Sequence, residues 1–331
     1  MSVREVCIAG KCNNLITLKN DNIELTLLDL GAAVYSLKTQ DKHGKFENIV
    51  LQYQDITEYY HNPSYFGATV GRVAGRIKDA KIVLDGKTYY LEKNYQDKHT
   101  LHGGFNCITH QKFAFELIDT SKVKFTATQR SITDKFPADV TISVTYELLE
   151  NAIVIYFNAV ATADTILNMT NHCYYNLSGD YKTTIVNHQL EVPATQFVNV
   201  DVNLIPTDIQ NLPQEMDFRQ KSCIGDKLKH HDSKYFRKGG IDHCYIVDGM
   251  VKLEDSNSGR KLKLSSSYPA MQIYTCNVSR GHTLSNGKIL KQYGAICFEP
   301  QYIGAFDGNY DNHPAKLRKG QEYQHFIKLE F

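Results

Sequence analysis

Short apolar runs of period two, cut every few residues by turn formers, recur along almost the whole chain. Alternation at period two sends successive side chains to opposite faces of an extended backbone, so the pattern calls for sheets. Runs at 15–18 and 23–28 flank Lys-Asn-Asp-Asn, a hairpin signal, and 32–37 follows as a further strand. Runs at 81–84 and 88–91 flank Asp85-Gly86-Lys87, the strongest short hairpin cue in the chain. Strands are also expected at 48–52, 113–118 and 123–127. Residues 140–148 and 152–161 form the longest pair, and 153–157 is apolar on both faces, as in a strand buried on two sides. Later strands are expected at 189–192, 245–247, 261–265, 271–275, 295–299 and 322–330. Helical periodicity is confined to two short stretches, 55–60 and 223–231. Strands this numerous without intervening helices predict an all-β antiparallel sandwich or barrel. The more polar segment 193–238 reads as long loops over a sheet. With no repeat, linker or low-complexity tract, residues 1–331 read as one domain.

Charge is nearly balanced, with 37 basic and 36 acidic residues. That argues against a nucleic-acid or membrane-surface partner. No run of 18 apolar residues occurs, and the start lacks the apolar core of a signal peptide, so a cytoplasmic location is expected. The eight cysteines include no Cys-x-x-Cys pair and read as reduced thiols. Sequons at Asn168, Asn176 and Asn277 read as chance, because the first two lie in a stretch expected to be buried. Tyrosine is abundant (21, with 15 Phe and no Trp), and its ring can stack on a sugar face.

Several stretches carry chemistry. Residues 168–179 alternate strand formers with hydrogen-bonding side chains around His172, as in a strand whose polar face lines a cleft. A histidine titrates near neutrality and can give and take protons, although a single one is more often structural. Glycines 67, 71 and 75 are spaced by four without a dinucleotide fingerprint, and suit tight turns or close packing. Arg72 and Arg76 are either structural ion-pair partners or cleft donors. Leu101-His102-Gly-Gly leaves His102 sterically open. His99 and His102 do not make a metal site by spacing, since zinc needs a fuller ligand set. Asp242 either ends a turn or accepts bonds from hydroxyls. Gln272, Tyr274 and Cys276 share a strand face. Glu299 closes an apolar run and is costly to bury unless paired or used.

Taken together, Gly71-Arg-Val-Ala-Gly-Arg-Ile, Leu101-His-Gly-Gly, Asn171-His-Cys-Tyr-Tyr-Asn-Leu, Ile241-Asp-His, Gln272-Ile-Tyr-Thr and Phe298-Glu-Pro-Gln resemble the ordered signature blocks of the aldose 1-epimerases, the galactose mutarotases. The resemblance runs from about residue 10 to the end. It implies a large antiparallel β-sandwich with a sugar cleft and neither metal nor organic cofactor. It also implies Glu299 as general base and His172 as general acid. Arg76, His102, Asp242 and Gln272 would hold sugar hydroxyls, with Tyr174 beside His172. Two positions depart from the family pattern: Gly75 stands where an Asn is usual, and Pro300 where a Thr is usual. Gly75 removes an amide that would meet the sugar.

The implied reaction interconverts the α and β anomers of a free hexose such as galactose or glucose by ring opening and closure. The expected protonation is a carboxylate ionised at neutral pH and an imidazole that can be protonated. A hexose-6-phosphate epimerase would need further cationic groups at the cleft. A non-catalytic sugar-binding protein is the other alternative, motivated by Gly75 and Pro300. Nothing in the pattern separates a monomer from a dimer.

Overall fold

The computed structural model describes residues 1–230 and 232–331. Among these residues the longer strands fall into three antiparallel sheets. The largest has nine strands, in the order Ala114–Leu117, Lys122–Gln129, Val140–Leu148, Ala152–Ala161, Tyr323–Glu330, Lys261–Ser266, Val251–Glu254, Gln189–Glu191 and Ser222–Cys223. A six-stranded sheet runs Tyr174–Tyr175, Ile296–Gln301, Ala270–Tyr274, Asp242–Val247, Ala194–Val200 and Pro206–Asn211. A five-stranded meander, Ser2–Ile8 to Phe46–Asn48, precedes both.

Period-two alternation decides how the sheets pack. Ile155, Phe157, Leu264 and Ile327 of the nine-stranded sheet share one buried cluster with Phe197, Tyr245, Ile273 and Phe298 of the six-stranded sheet. A cluster drawn from the facing sides of both sheets makes this a β-sandwich, as the pattern predicts. Each large apolar side chain buried there contributes about 1.5–3 kcal/mol relative to exposure. The doubly apolar run does lie inside its sheet, between Val140–Leu148 and Tyr323–Glu330.

Four expectations change, the first at 48–52, where strand pairing stops at Asn48 and only Val50 makes a further, isolated bridge. The segment 193–238 is not all loop, because Ala194–Val200 and Pro206–Asn211 complete one edge of the six-stranded sheet. The last of these is mostly exposed, so no buried face marks it in sequence, and its proline starts an edge strand where a missing N–H costs nothing. The stretch 168–179 is not one strand. Thr170–Asn171 pairs with Thr69–Val70, and Tyr174–Tyr175 pairs with Ile296–Cys297, leaving His172 at the junction. The two helical stretches shrink to a 3-10 turn at Ile56–Tyr60, capped by Asp55, and an α-turn at Ile224–Leu228. The expected end of the second stretch, His231, lies outside the described residues.

Candidate active site

The outward face of the six-stranded sheet is the floor of a cleft. On Ala270–Tyr274, Met271 and Ile273 enter the core, so Gln272 and Tyr274 face the cleft. On Ile296–Gln301, Ile296 and Phe298 enter the core, so Glu299 and Gln301 face the cleft. Ladder register sets Glu299 opposite Gln272, and Gln272 opposite Cys244. Asp242 opens the next strand opposite Tyr274, and its Oδ1 accepts a bond from Gln272 Nε2 at 2.6 Å.

Loops from the other end of the chain wall the cleft. Arg76–Ile77 pairs with Thr100–Leu101, which brings Arg76 and His102 together. The backbone N–H of His102 donates to Gly75 O at 3.0 Å, and the Gly75 N–H donates to His102 Nδ1 at 3.3 Å. Gly103 permits this closeness: a Cβ there would lie 2.2 Å from the Gly71 carbonyl oxygen. His172 is pinned by its backbone, donating to Ala68 O at 2.9 Å and accepting from Gly67 at 3.0 Å. Its ring lies between Tyr174 and Tyr65, with centroids 5.0 and 5.9 Å away, and meets the edge of His102 at 5.3 Å.

His172 Nε2 lies 3.4 Å from Glu299 Oε1. Both side chains are buried. Burial disfavours charge on each, and pushes the Glu299 carboxyl up to about 8, helped by the nearby Asp242 carboxylate and opposed by Arg76. Burial likewise pushes His172 down to about 4, with Arg76 adding to the shift. His102 is driven well below the usual histidine range by burial, then by His172 and Arg76. The sequence expectation of an ionised carboxylate and a protonated imidazole at neutral pH is therefore reversed, because burial favours the neutral form of both groups. Arg76 Nη2 is 3.8 Å from Asp242 Oδ2, and its guanidinium lies 4.8 Å from the Tyr95 ring centroid. Arg76 Nε, Glu299 Oε2 and Gln301 Oε1 are buried with no hydrogen-bond partner among the described residues. Unpaired polar atoms around one cleft suit a ligand rich in hydroxyls, each of which can both donate and accept.

The sequence profile of the aldose 1-epimerases matches residues 14–330. Galactose mutarotase of Mus musculus is 30% identical over 325 residues, covering 95% of this chain and 92% of its own length. This chain belongs to the aldose 1-epimerase family. The aldose 1-epimerase of Escherichia coli K12 is 26% identical over 339 residues, covering 97% of this chain and 96% of its own. Among solved structures, an aldose epimerase homologue from C. elegans superposes with a TM-score of 0.87 at 28% identity, over 96% of this chain and 98% of its own. Membership makes the chain an isomerase of the sugar-epimerising class.

The cleft gathers Gly75, Arg76, His102, His172, Tyr174, Asp242, Gln272 and Glu299, the residues that the family resemblance marked. Arg72 goes elsewhere. It is fully buried and forks onto Asp134, with bonds of 2.7 and 2.8 Å. His99 accepts from the Asp79 N–H at 2.9 Å, away from His102. His102, His172 and Glu299 do place ligand atoms within 4.8 Å of one another, so a metal could find donors there, unlike at the His99 and His102 spacing. Pro300 pairs with Met271, a core residue, and so faces away from Glu299. Its substitution for Thr therefore adds nothing to the cleft and removes nothing from it. All eight cysteines are free thiols, and the three sequon asparagines are buried. Sequence reasoning passed over Tyr65, Tyr95 and Gln301. For Gln301 the signal was present, since it lies two residues from Glu299 and hence on its strand face.

Proposed function

We propose that this protein is an aldose 1-epimerase that interconverts the anomers of free aldohexoses such as galactose and glucose. The observation that carries the reading is the buried Glu299–His172 pair, 3.4 Å apart, in a cleft lined by unpartnered polar atoms. Between about pH 4 and pH 8 the pair holds one proton. In the productive arrangement that proton is on His172. Glu299 then removes the proton of the anomeric hydroxyl while His172 donates to the ring oxygen. The C1–O5 bond breaks, the aldehyde forms, and C1 turns about the C1–C2 bond. Afterwards Glu299 is protonated and His172 neutral, so the pair still holds one proton. This is the state that burial favours, so the site is electrostatically matched to the open-chain intermediate. Ring closure on the other face reverses both transfers. Arg76, His102, Asp242 and Gln272 hold the hydroxyls so that both transfers are in reach. No step uses a metal or organic cofactor.

Reading the chain as one folding unit is supported by its last strand, Tyr323–Glu330, which lies inside the nine-stranded sheet. A second reading, a hexose 6-phosphate as substrate, has one observation in its favour. Lys238 and Arg280, both exposed, line the same cleft as Arg76. The deciding experiment follows anomer relaxation of α-galactose, α-glucose and glucose 6-phosphate by polarimetry or NMR with purified protein. Acceleration of the free sugars above the buffer rate supports the proposal. Acceleration of the phosphate alone replaces it with the second reading, and none at all leaves a sugar-binding protein without turnover.

A further inference from the structure

The side chain of Gln301 is buried, only 5% exposed, yet its Oε1 has no hydrogen-bond partner among the described residues. It lines the cleft on the same strand face as Glu299. Two residues along a strand is about 7 Å, close to the separation of hydroxyls on opposite sides of a hexopyranose. Cys244 neighbours the amide and lines the same cleft. Across from it stands Gly75, at φ +80, and the space a side chain would take there is open. A Cβ on Gly75 would meet nothing within 4 Å except Gln301 Oε1, at 3.7 Å. The orphaned acceptor therefore faces a vacant corner of the cleft and not a packed wall.

A buried acceptor left unpaired costs folding free energy that a well-packed protein avoids. Here the backbone of the following residue is already satisfied. Asn168 Nδ2 donates to Tyr302 O at 3.0 Å, and the Tyr302 N–H donates to Asn168 Oδ1 at 2.9 Å. The next chain segment is thus tied down without help from Gln301. If the amide turned over, its NH₂ would face the same corner, and a sugar hydroxyl could pair with either end.

We propose that Gln301 is a further sugar-binding residue and that the Gly75–Gln301 corner is a specificity subsite for one ring hydroxyl of the aldohexose. The inference rests on the epimerase reading for its choice of ligand. Gln301 contacts the substrate away from the reacting atoms, so it acts on binding and on discrimination between sugars, not on proton transfer.

The test compares galactose with its 2-, 3-, 4- and 6-deoxy analogues in the parent and in Gln301→Met. Binding is measured by calorimetry and turnover by polarimetry. Gln301→Asn, which keeps the amide but withdraws it by one methylene, is the second variant should Gln301→Met not fold. The expected result is about a tenfold weaker galactose binding in the variant, with kcat nearly unchanged, the usual loss for one buried hydrogen bond. The parent should bind one deoxy analogue about tenfold more weakly than galactose, and that particular penalty should vanish in the variant. Equal weakening for galactose and every analogue would make Gln301 a structural residue and overturn the proposal, as would unchanged binding. If the parent binds galactose but turns over no sugar, the epimerase reading fails while the calorimetric comparison still decides Gln301.

Discussion

Two arginines four residues apart on one glycine-spaced stretch end in opposite circumstances. Arg72 is wholly buried and fully used. Its fork meets Asp134 with two bonds, and its remaining nitrogen donates to the carbonyls of Pro137 and Ala138 at 2.8 and 2.7 Å. Arg76 stands 3.8 Å from Asp242, with its Nε buried and unpaired. Both are Arg–Asp pairs, and only one is closed. A closed pair spends its donors on the fold, whereas an open pair keeps them for a ligand, at some cost in stability. The same contrast holds across the six-stranded sheet, whose inner face is packed with Ile273, Ile296 and Phe298 and whose outer face carries Gln272, Glu299 and Gln301.

The largest effect is expected at the open side. Glu299→Gln keeps size and removes the proposed base, and His172→Gln removes the proposed acid. Each should lower kcat by on the order of 10²–10⁴, the usual contribution of a positioned acid or base. The double variant should lose less than the product of the two, because the transfers act as a unit. A folded Glu299→Gln protein that relaxes anomers at the parent rate would show that another base does the work.

Exchanging the arginines tests the comparison itself. Arg72→Met leaves Asp134 buried and unpaired, and should destabilise the fold by about 3–5 kcal/mol in denaturant unfolding. Arg76→Met should leave stability almost untouched and weaken sugar binding. If Arg76→Met unfolds as readily as Arg72→Met, the open pair is structural after all.

This contrast could not be read in the sequence. Both arginines sit in identical Gly-Arg settings, and the partner that claims Arg72 lies 62 residues away. What could be read depended on periodicity or on resemblance. Residues 23–28, 81–84 and 140–148 coincide with strands because alternation marks their buried face, and 152–161 because it carries a run buried on both faces. Pro206–Asn211 was missed because it has no buried face. Glu299 and Gln272 came from motif blocks, and their adjacency from a ladder that joins residues 27 apart in the chain. The protonation of the pair was misjudged because standard pKa values carry no burial, and here burial is the largest cause for both groups.

A smaller effect separates the hydroxyl clamps from the proton-transfer pair. Asp242→Asn and His102→Asn should raise KM about tenfold, one hydrogen bond's worth, with less change in kcat. Asp242 has a second signature. Its charge helps hold Glu299 up, so the upper limb of the kcat/KM profile, near pH 8 in the parent, should move down in Asp242→Asn. Arg76 opposes that shift, so the limb should move up in Arg76→Met. The lower limb, near pH 4, belongs to His172. Limbs that stay fixed in both variants would disconnect these charges from Glu299.

A last effect is on stability and bears directly on where the proton rests. In the fold Glu299 titrates at about 8, against 4.5 for an ordinary glutamate. Below pH 4.5 both folded and unfolded chains keep this proton, and burial of the group carries no ionisation penalty. Between 4.5 and 8 the unfolded chain gives the proton up while the folded one retains it, so the parent loses stability as pH rises, and above 8 the loss is complete. His172 works in the other direction, its contribution being lost as pH falls from 6.5 toward 4. It is present in parent and variant alike and largely subtracts out of their difference. Glutamine cannot ionise, so Glu299→Gln should match the parent's Tm near pH 4.5 and exceed it by a margin that widens up to about pH 8, while being among the poorest catalysts of the series. A Tm difference that does not vary with pH would mean that Glu299 is ionised throughout, and that the shared proton already lies on His172.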